Sequence, residues 1–159
     1  MDVSPWDVVR AFTLGPLLEA AVPKPGNVNR YADFDDLTLY HFIFASASAM
    51  EVLYTAAERG ILIREGGLDE RDAALGGLIR DAVYESVSLQ GSNANLGILV
   101  MIVPLAVAAP LSPDVYSIGT AAKSLIDRSS PMDTIDLYRA IRRANPGGLR
   151  RGVRYDVYG

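Results

Sequence analysis

The sequence predicts an all-α protein, a single-domain bundle of about six helices around a buried central helix at about residues 94–110. Apolar residues recur at helical spacing through most of the chain, and no strand-like alternation persists for long. An uncharged, strongly apolar segment covers residues 96–109. The 159 residues, 50% of them hydrophobic, suffice for one core but are few for two domains. We therefore expect one helical domain over residues 1–159.

The first helix has a clear start signal in the sequence. Ser4, Pro5 and Asp7 have the order of an N-cap, a first-turn proline and an acidic first turn. The apolar period that follows continues toward Ala21. Proline disrupts helical hydrogen bonding, so a kink is expected at residues 15–16.

A second helix is expected over about residues 37–59, with Gly60 as its stop. Its small residues at 45–49 favour a close-packing face over a serine nucleophile. His41 lies inside this helix on a mostly apolar register. We interpret it as a hydrogen-bonded structural residue, and a role as an acid or base stays open.

The remaining helices are predicted from their caps. Asp69 and Asp72 are expected to cap a third helix that ends at about Gln90. Asn93 or Asn95 is expected to start a fourth helix. Two more helix starts are indicated, one by Ser112 and Pro113 and the other by Asp133.

The apolar segment at 96–109 is too short to be a membrane span. At 1.5 Å per residue it covers about 21 Å, whereas the hydrocarbon core of a bilayer is about 30 Å thick. Pro104 also interrupts it. We interpret the segment as the central helix of the bundle, apolar and enclosed on all sides.

Composition excludes several functional classes. A net charge of −4 argues against general affinity for nucleic acid. The chain has no cysteine, which fits a reducing cytoplasm, and its first residues lack the features of a signal peptide. The motifs G-x-S-x-G, G-x-G-x-x-G and H-E-x-x-H are absent, and one histidine cannot form a multi-histidine metal site. Lys123 has only a faint P-loop context, and we interpret it as a solvated helix residue.

The most informative segment is residues 22–30, here called the lysine loop. Two prolines flank Lys24 and restrict the backbone on either side of it. Gly26 allows a tight turn or a close backbone approach. Asn27 and Arg30 add hydrogen-bonding and cationic groups suited to a phosphorylated ligand. Lys24 is one of only two lysines, against 13 arginines. A helix-terminating loop with solvated charge is the alternative.

Residues 33–36, here called the acidic turn, follow the lysine loop. Asp33, Asp35 and Asp36 offer oxygen ligands for a Mg²⁺ ion that bridges to the phosphates of a nucleotide. The spacing excludes an EF-hand, because the required glycine and glutamate are missing. Capping of the following helix is the alternative role for these carboxylates.

Residues 91–97, here called the amide loop, lead directly into the apolar segment. Asn93 and Asn95 stand among glycines at the start of the fourth helix. These residues suit a helix cap, and they suit a polar cup with exposed backbone N–H groups that would favour phosphate. On the second interpretation, the amide loop and Lys24 hold one polyphosphate from two sides.

Arginines are concentrated at the C-terminus. Six of the 13 fall in the last 21 residues: Arg139, Arg142, Arg143, Arg150, Arg151 and Arg154. Solvated cations at a helix C-terminus are the default interpretation. Phosphate binding and a partner-binding tail are the alternatives.

These motifs resemble those of the triphosphoribosyl-dephospho-CoA synthases, in particular the archaeal branch of that family. The sequence at 23–26 matches the family's lysine loop, whereas 27–29 departs from its more usual aliphatic residue, valine and aspartate. Where citrate-associated members read Asn-Thr-His-Lys-Gly, Asn93 and Gly97 match and residues 94–96 do not. Relatives generally continue with further helices, so the resemblance implies that the domain corresponds to the N-terminal part of a longer fold.

The resemblance implies an all-helical transferase. Such enzymes join the triphosphoribosyl unit of ATP to a ribose hydroxyl of 3′-dephospho-CoA and release adenine. The product is the precursor of the prosthetic group of citrate and malonate decarboxylating systems. The expected partners are therefore a nucleotide and a coenzyme A precursor, with Mg²⁺ as cofactor.

The residue roles follow the motifs. Lys24 is expected to hold the triphosphate, and Asp35 or Asp36 to supply the carboxylate that stabilises charge at the reacting ribose. Substrate contacts are expected from four residues: Asn27, Arg30, Asn93 and Asn95. The alternative is a catalytically silent helical module that pairs with itself or with a complementary chain.

Overall fold

The computed structural model describes residues 2–91, 94–147 and 157. In these ranges the chain forms seven α-helices and no β-strand. The helices are α1 Pro5–Ala21, α2 Leu39–Ser48, α3 Met50–Arg64, α4 Leu75–Gln90, α5 Leu96–Ala108, α6 Ile118–Asp127 and α7 Pro131–Ala144. Short 3₁₀ turns lie at Glu70–Asp72, Ala109–Leu111 and Val115–Ser117. The all-α prediction is confirmed, with seven helices instead of about six.

Helices α1 and α7 begin with the same chemistry. The Ser4 hydroxyl oxygen accepts a hydrogen bond from the Asp7 backbone N–H at 3.2 Å, and the Asp7 carboxylate accepts one from the Ser4 backbone. Ser130 and Asp133 repeat this arrangement in α7, again with proline as the first helical residue. Each capping box satisfies N–H groups that have no partner inside the helix. The predicted start of α1 is confirmed.

The expected single helix over 37–59 is wrong, because α2 and α3 are separate and meet at Ala49. Near the end of α2 the Ser48 hydroxyl donates to the Ala45 carbonyl at 3.0 Å, a bond that competes with the helical pattern. Gly60 is not a stop, since α3 continues through it to Arg64. A Cβ at Gly60 would overlap the Val107 carbonyl oxygen of α5, so this glycine permits close helix packing.

The predicted start of the third helix also needs correction. Asp69 caps only a short 3₁₀ turn, in which its carboxylate accepts from the Arg71 N–H at 2.9 Å. The helix itself, α4, begins at Leu75 after Ala74, whose φ is +52°. Its predicted end at Gln90 is confirmed.

Helix α5 packs against α1, α3, α4 and α6 and supplies much of the core. Leu99, Val103 and Val107 are buried, as the sequence predicts. The expectation of enclosure on all sides is wrong, because Met101 is 65% exposed and Gly97 lies on the same side. The neighbouring helices cover only part of its circumference. None of the helices in the described ranges has both the length and the hydropathy of a membrane span.

Helices α4 and α7 form the most extensive helix contact. In the first turn of α7, the Asp133 carboxylate accepts a hydrogen bond from the Gly76 backbone N–H at 2.8 Å. One turn further along α7, Asp136 pairs with Arg80 at 2.8 Å and with Arg139 at 2.9 Å. Burial alone would raise the pKa of Asp136, but hydrogen bonds from Arg139 and Arg80 lower it overall. The interface therefore contains paired charge.

Candidate functional site

A small second core organises the candidate site. Ala20, Val28 and Phe42 form a buried cluster, against which Leu37, Leu39 and Ala94 pack. These six residues come from the end of α1, the lysine loop, the segment around the start of α2, and the amide loop. The cluster therefore brings together the lysine loop, the segment that follows the acidic turn, and the amide loop. Val28 has no exposed surface and anchors the lysine loop.

The lysine loop has a defined turn structure. Gly26 has a φ of +75°, which confirms the predicted tight turn, and its missing side chain faces open space. Asn29 is buried and forms an isolated antiparallel bridge with Ala32. Its amide donates to the Asn27 carbonyl at 3.1 Å, and its side-chain oxygen accepts from the Tyr31 N–H at 3.0 Å. Asn29 thus stabilises the loop from inside.

Lys24 is held by a residue that the sequence interpretation missed. Its ammonium pairs with the carboxylate of Glu19, and the Asn27 amide donates to the same Glu19 oxygen at 3.1 Å. The Lys24 side chain is 37% exposed. Glu19 lies in the last turn of α1, where a negative charge opposes the helix dipole. In the sequence, a glutamate near the end of a predicted helix with a lysine five residues later was the signal that could have indicated this pair.

The acidic turn divides into two kinds of carboxylate. Asp33 caps α2, since its side chain accepts from the Leu39 backbone N–H at 2.9 Å. Asp35 and Asp36 are exposed and make no hydrogen bond or ion pair with another described residue. Across the described residues, no group of three or more acidic, histidine or cysteine side chains is arranged to hold a metal ion. The capping alternative therefore accounts for Asp33.

Asp36 also lines a cavity of about 400 Å³, here called the polar pocket. Its walls come from the acidic turn, the end of α4 and the end of α7. Its principal lining residues are Asp36, Gly91, Arg143 and Asn145. The Arg143 guanidinium lies 5.6 Å from the centre of the Tyr84 ring and forms no ion pair with a described residue. Of the C-terminal arginines within the described residues, Arg143 lines this pocket together with Asp36 of the acidic turn. Arg150, Arg151 and Arg154 lie outside the described residues.

The other predicted contact residues occupy different positions. Asn95 is 2% exposed, and its amide lies 3.4 Å from the Ser46 hydroxyl in α2. Its backbone carbonyl accepts the first hydrogen bond of α5, from Leu99 at 2.8 Å. Arg30 is exposed and lies 4.6 Å above the Tyr31 ring. Asn93 lies outside the described residues.

No hydrogen bond or ion pair among the described residues joins Lys24 to the acidic turn. Lys24 and Asn27 share Glu19, whereas Asp36 faces the polar pocket. The small second core connects these groups through the backbone that carries them. The site is thus built from adjacent loops and has two separate polar regions.

His41 and Lys123 have the structural roles expected from the sequence. Nδ1 of His41 accepts from the Thr38 backbone N–H at 3.0 Å and completes the capping box of α2. Lys123 is an exposed helix residue and pairs with Asp127 one turn later.

A sequence model of one protein family, described as CitG: ATP:dephospho-CoA triphosphoribosyl transferase, matches residues 5–159. The chain belongs to the CitG family. No curated protein and no solved structure matches it at a significant level. The match to the CitG family includes the lysine loop, the acidic turn and the amide loop, and it confirms the family predicted from those motifs.

Proposed function

We propose that this chain transfers the triphosphoribosyl unit of ATP to 3′-dephospho-CoA and releases adenine. The observation that carries the proposal is the small second core, in which Val28 of the lysine loop packs with Phe42 of α2 and Ala94 of the amide loop. The lysine loop, the segment that follows the acidic turn, and Ala94 of the amide loop thereby share one buried cluster. The description of the CitG family supplies the reaction class.

The reaction exchanges one bond at C1 of the ATP ribose. The bond from C1 to the adenine nitrogen breaks, and the electron pair leaves with adenine. A ribose hydroxyl oxygen of dephospho-CoA forms the new bond to C1, and its proton passes through a general base to the departing adenine. Positive charge builds on C1 during this exchange, so a nearby carboxylate stabilises the transition state. Asp35 and Asp36 are our candidates for this carboxylate.

Lys24 is our candidate for holding the triphosphate. Its ammonium is partly exposed, and among the described residues it pairs with one carboxylate, that of Glu19. A triphosphate carries more negative charge than Glu19 and would compete with it for the lysine. Asn27 shares the same Glu19 oxygen and is positioned to contact the ligand beside Lys24. Arg30, which is exposed on the same loop, is proposed as a secondary phosphate contact.

Mg²⁺ fits the donor chemistry of the acidic turn. Asp35 and Asp36 are exposed carboxylates without protein partners among the described residues. Mg²⁺ in nucleotide sites is commonly held by one or two carboxylates together with substrate phosphates, so a cluster of three is not required. These two residues would hold the ion, which supplies charge neutralisation to the triphosphate when bound. Asp33 uses its Oδ1 oxygen to cap α2, which leaves its other carboxylate oxygen for the ion.

The two asparagines of the amide loop receive different proposed roles. Asn93 remains our candidate for a ribose or base contact. Asn95 is buried between α5 and α2, so we assign it the task of positioning the loop. Its burial limits direct contact with a ligand.

We propose a cytoplasmic location, because the absence of cysteine fits a reducing compartment. An archaeal source is proposed from the resemblance of the lysine loop to that branch of the family. Self-association is proposed from α2, which exposes Tyr40, Ile43 and Phe44 and carries no Asp, Glu, Lys or Arg. Two copies of such an uncharged face can pair about a two-fold axis without charge repulsion.

The test compares the two lysines of the chain. Lys24→Ala is expected to slow adenine release from ATP and dephospho-CoA in the presence of Mg²⁺ by about 100-fold, because a cation that holds the triphosphate is lost. It is also expected to weaken ATP binding measured by calorimetry. Lys123→Ala, which removes the other lysine and its exposed ion pair with Asp127, is the matched control.

Equal adenine release and ATP affinity in Lys24→Ala and Lys123→Ala would remove Lys24 from the site. A wild-type chain that binds no ATP, releases no adenine and forms a stable dimer in light scattering would favour the alternative, a catalytically silent module that pairs with itself. A strictly monomeric active chain would contradict the proposed self-association alone.

A further inference from the structure

We infer that the polar pocket, where α4 and α7 end, is the subsite for a ribosyl phosphate group of the substrate. In this subsite Arg143 contacts the phosphate and Asp36 contacts the ribose hydroxyls. The inference rests on the proposed function, which supplies a substrate that carries ribose and phosphate together. It adds a residue, Arg143, that neither the lysine loop nor the family description assigns.

The C-terminal ends of two helices and one carboxylate contribute to the walls of the pocket. Helices α4 and α7 both end here, at Gly91 with a φ of +70° and at Asn145 with a φ of +43°. The last carbonyl groups of a helix have no partner within it, and the C-terminal end carries partial negative charge. Asp36 adds a carboxylate. Such walls suit a ligand that donates several hydrogen bonds, as the hydroxyls of a ribose do.

Arg143 gives the pocket a positive group. Elsewhere on the α4–α7 interface, Arg80 and Arg139 are both bound to Asp136. Arg143 forms no such pair among the described residues and instead lies over the Tyr84 ring. A cation–π contact at 5.6 Å uses the face of the ring and does not occupy the guanidinium N–H groups, which are the donors that recognise phosphate.

The two charged groups line one cavity without pairing. No nitrogen of Arg143 lies within 4.0 Å of an Asp36 oxygen, since no ion pair joins them. A ligand with an anionic group at one end and hydroxyl groups at the other satisfies both residues together. The cavity volume of about 400 Å³ lies within the range typical of small-molecule sites. Ribosyl phosphate is the part of ATP and of dephospho-CoA with that pattern.

The experiment measures binding of ribose 5-phosphate, inorganic phosphate and ribose to the full chain by calorimetry. We expect ribose 5-phosphate to bind more tightly than either fragment. Arg143→Gln is expected to weaken its binding at least about tenfold, the loss typical of a hydrogen bond to a charged group. Asp36→Asn is expected to weaken the binding of ribose 5-phosphate and to leave the binding of inorganic phosphate nearly unchanged. Arg10→Gln is the control, because it removes an exposed arginine of α1 whose one ion-pair partner in the described part of the chain is Asp7.

The outcomes separate this inference from the proposed function. Equal affinity in Arg143→Gln and the wild type, or no binding of ribose 5-phosphate to the wild type, would overturn the subsite even if adenine is released. Binding that depends on Arg143 in a chain that releases no adenine would support the subsite and count against the transferase. If Arg10→Gln weakens the binding of ribose 5-phosphate as much as Arg143→Gln does, the effect comes from the overall charge of the protein. That result would also overturn the inference.

Discussion

The α4–α7 interface and the polar pocket use the same residue types in opposite ways. At the interface, Asp136 is buried and pairs with two arginines, and Asp133 accepts hydrogen bonds from Gly76 and from Ser130. At the pocket, Asp36 and Arg143 are exposed, and neither forms an ion pair with another described residue. Both regions lie along α7 within a few turns of each other.

The difference follows from solvation. A buried charge without a partner loses its hydration and strongly destabilises the fold, so the interface carboxylates require their partners. A charge at an open pocket keeps its hydration, so it remains available to a ligand. Aspartate and arginine therefore stabilise the fold at the buried interface, whereas their exposure at the pocket supports the binding role that we propose there.

The largest expected effect tests how tightly the interface is packed. Gly76→Ala would place a Cβ 2.5 Å from the Asp133 Cα and in overlap with its carbonyl oxygen, so α4 and α7 would have to separate. We expect a loss of about 2–3 kcal/mol in the free energy of unfolding, measured by urea denaturation. The overlap is with backbone, which cannot rotate away as a side chain can.

The neighbouring glycine provides the control. A Cβ at Gly77 would meet its nearest atoms at 3.7 and 3.8 Å, which is ordinary contact. Gly77→Ala is therefore expected to be neutral or to stabilise the chain by up to about 1 kcal/mol through helix propensity. Equal destabilisation by the two variants would show that helix backbone conformation, and not interface packing, is the sensitive feature.

The next effect tests the paired charge of the interface. Asp136→Asn is expected to cost about 1–2 kcal/mol at pH 7, because two arginines lose an ionised partner. The pKa of Asp136 is lowered from its ordinary value of 3.8. As pH falls, the unfolded chain therefore takes up this proton before the folded chain does. The stabilisation is complete above the ordinary pKa and is lost as pH falls below it toward the folded pKa.

The measurement is unfolding of wild type and variant between pH 7 and about pH 3. The gap between their stabilities should narrow as the pH decreases. Asp127→Asn is the control, since Asp127 is exposed and Lys123 is its one ion-pair partner within the described ranges. The loss of this carboxylate should cost less than about 0.5 kcal/mol. A gap that stays constant over this range would show that the interface does not depend on the charge of Asp136.

Local signals were enough to predict the starts of α1 and α5 but not the contacts between helices. The start of α6 at Ile118, after a 3₁₀ turn, corrects the expectation of a helix start at residues 112–113. The Ser4 and Asp7 pattern identifies a capping box because the interaction spans only three residues. Gly60 misleads for the opposite reason: the Val107 carbonyl that requires it lies on another helix. A single sequence does not show that Gly60 and Val107 lie close together in the fold.

The same limit applies to the candidate site. The lysine loop, acidic turn and amide loop were recognised from their residue types, and their family is confirmed. The packing of Val28 on Phe42 depends on how the lysine loop and α2 meet, so it required the structure. For the same reason, the sequence alone does not show which carboxylate of the acidic turn caps α2 and which lines the polar pocket. The pairing of Glu19 with Lys24 spans only five residues and had a local signal in the sequence.

The smallest expected change in stability tests that division within the acidic turn. Asp33→Ala removes a side-chain acceptor for the Leu39 N–H at the start of α2 and is expected to cost about 0.5–1 kcal/mol, measured by thermal unfolding. Asp36→Ala removes a hydrated carboxylate without a described partner and should leave stability unchanged while reducing adenine release at least about tenfold. The two variants delete the same group three residues apart, so any difference between them comes from what each carboxylate contacts. If Asp36→Ala lowers the melting temperature as much as Asp33→Ala, the pocket carboxylate is structural, and the contrast between a paired interface and an open pocket no longer separates stability from binding.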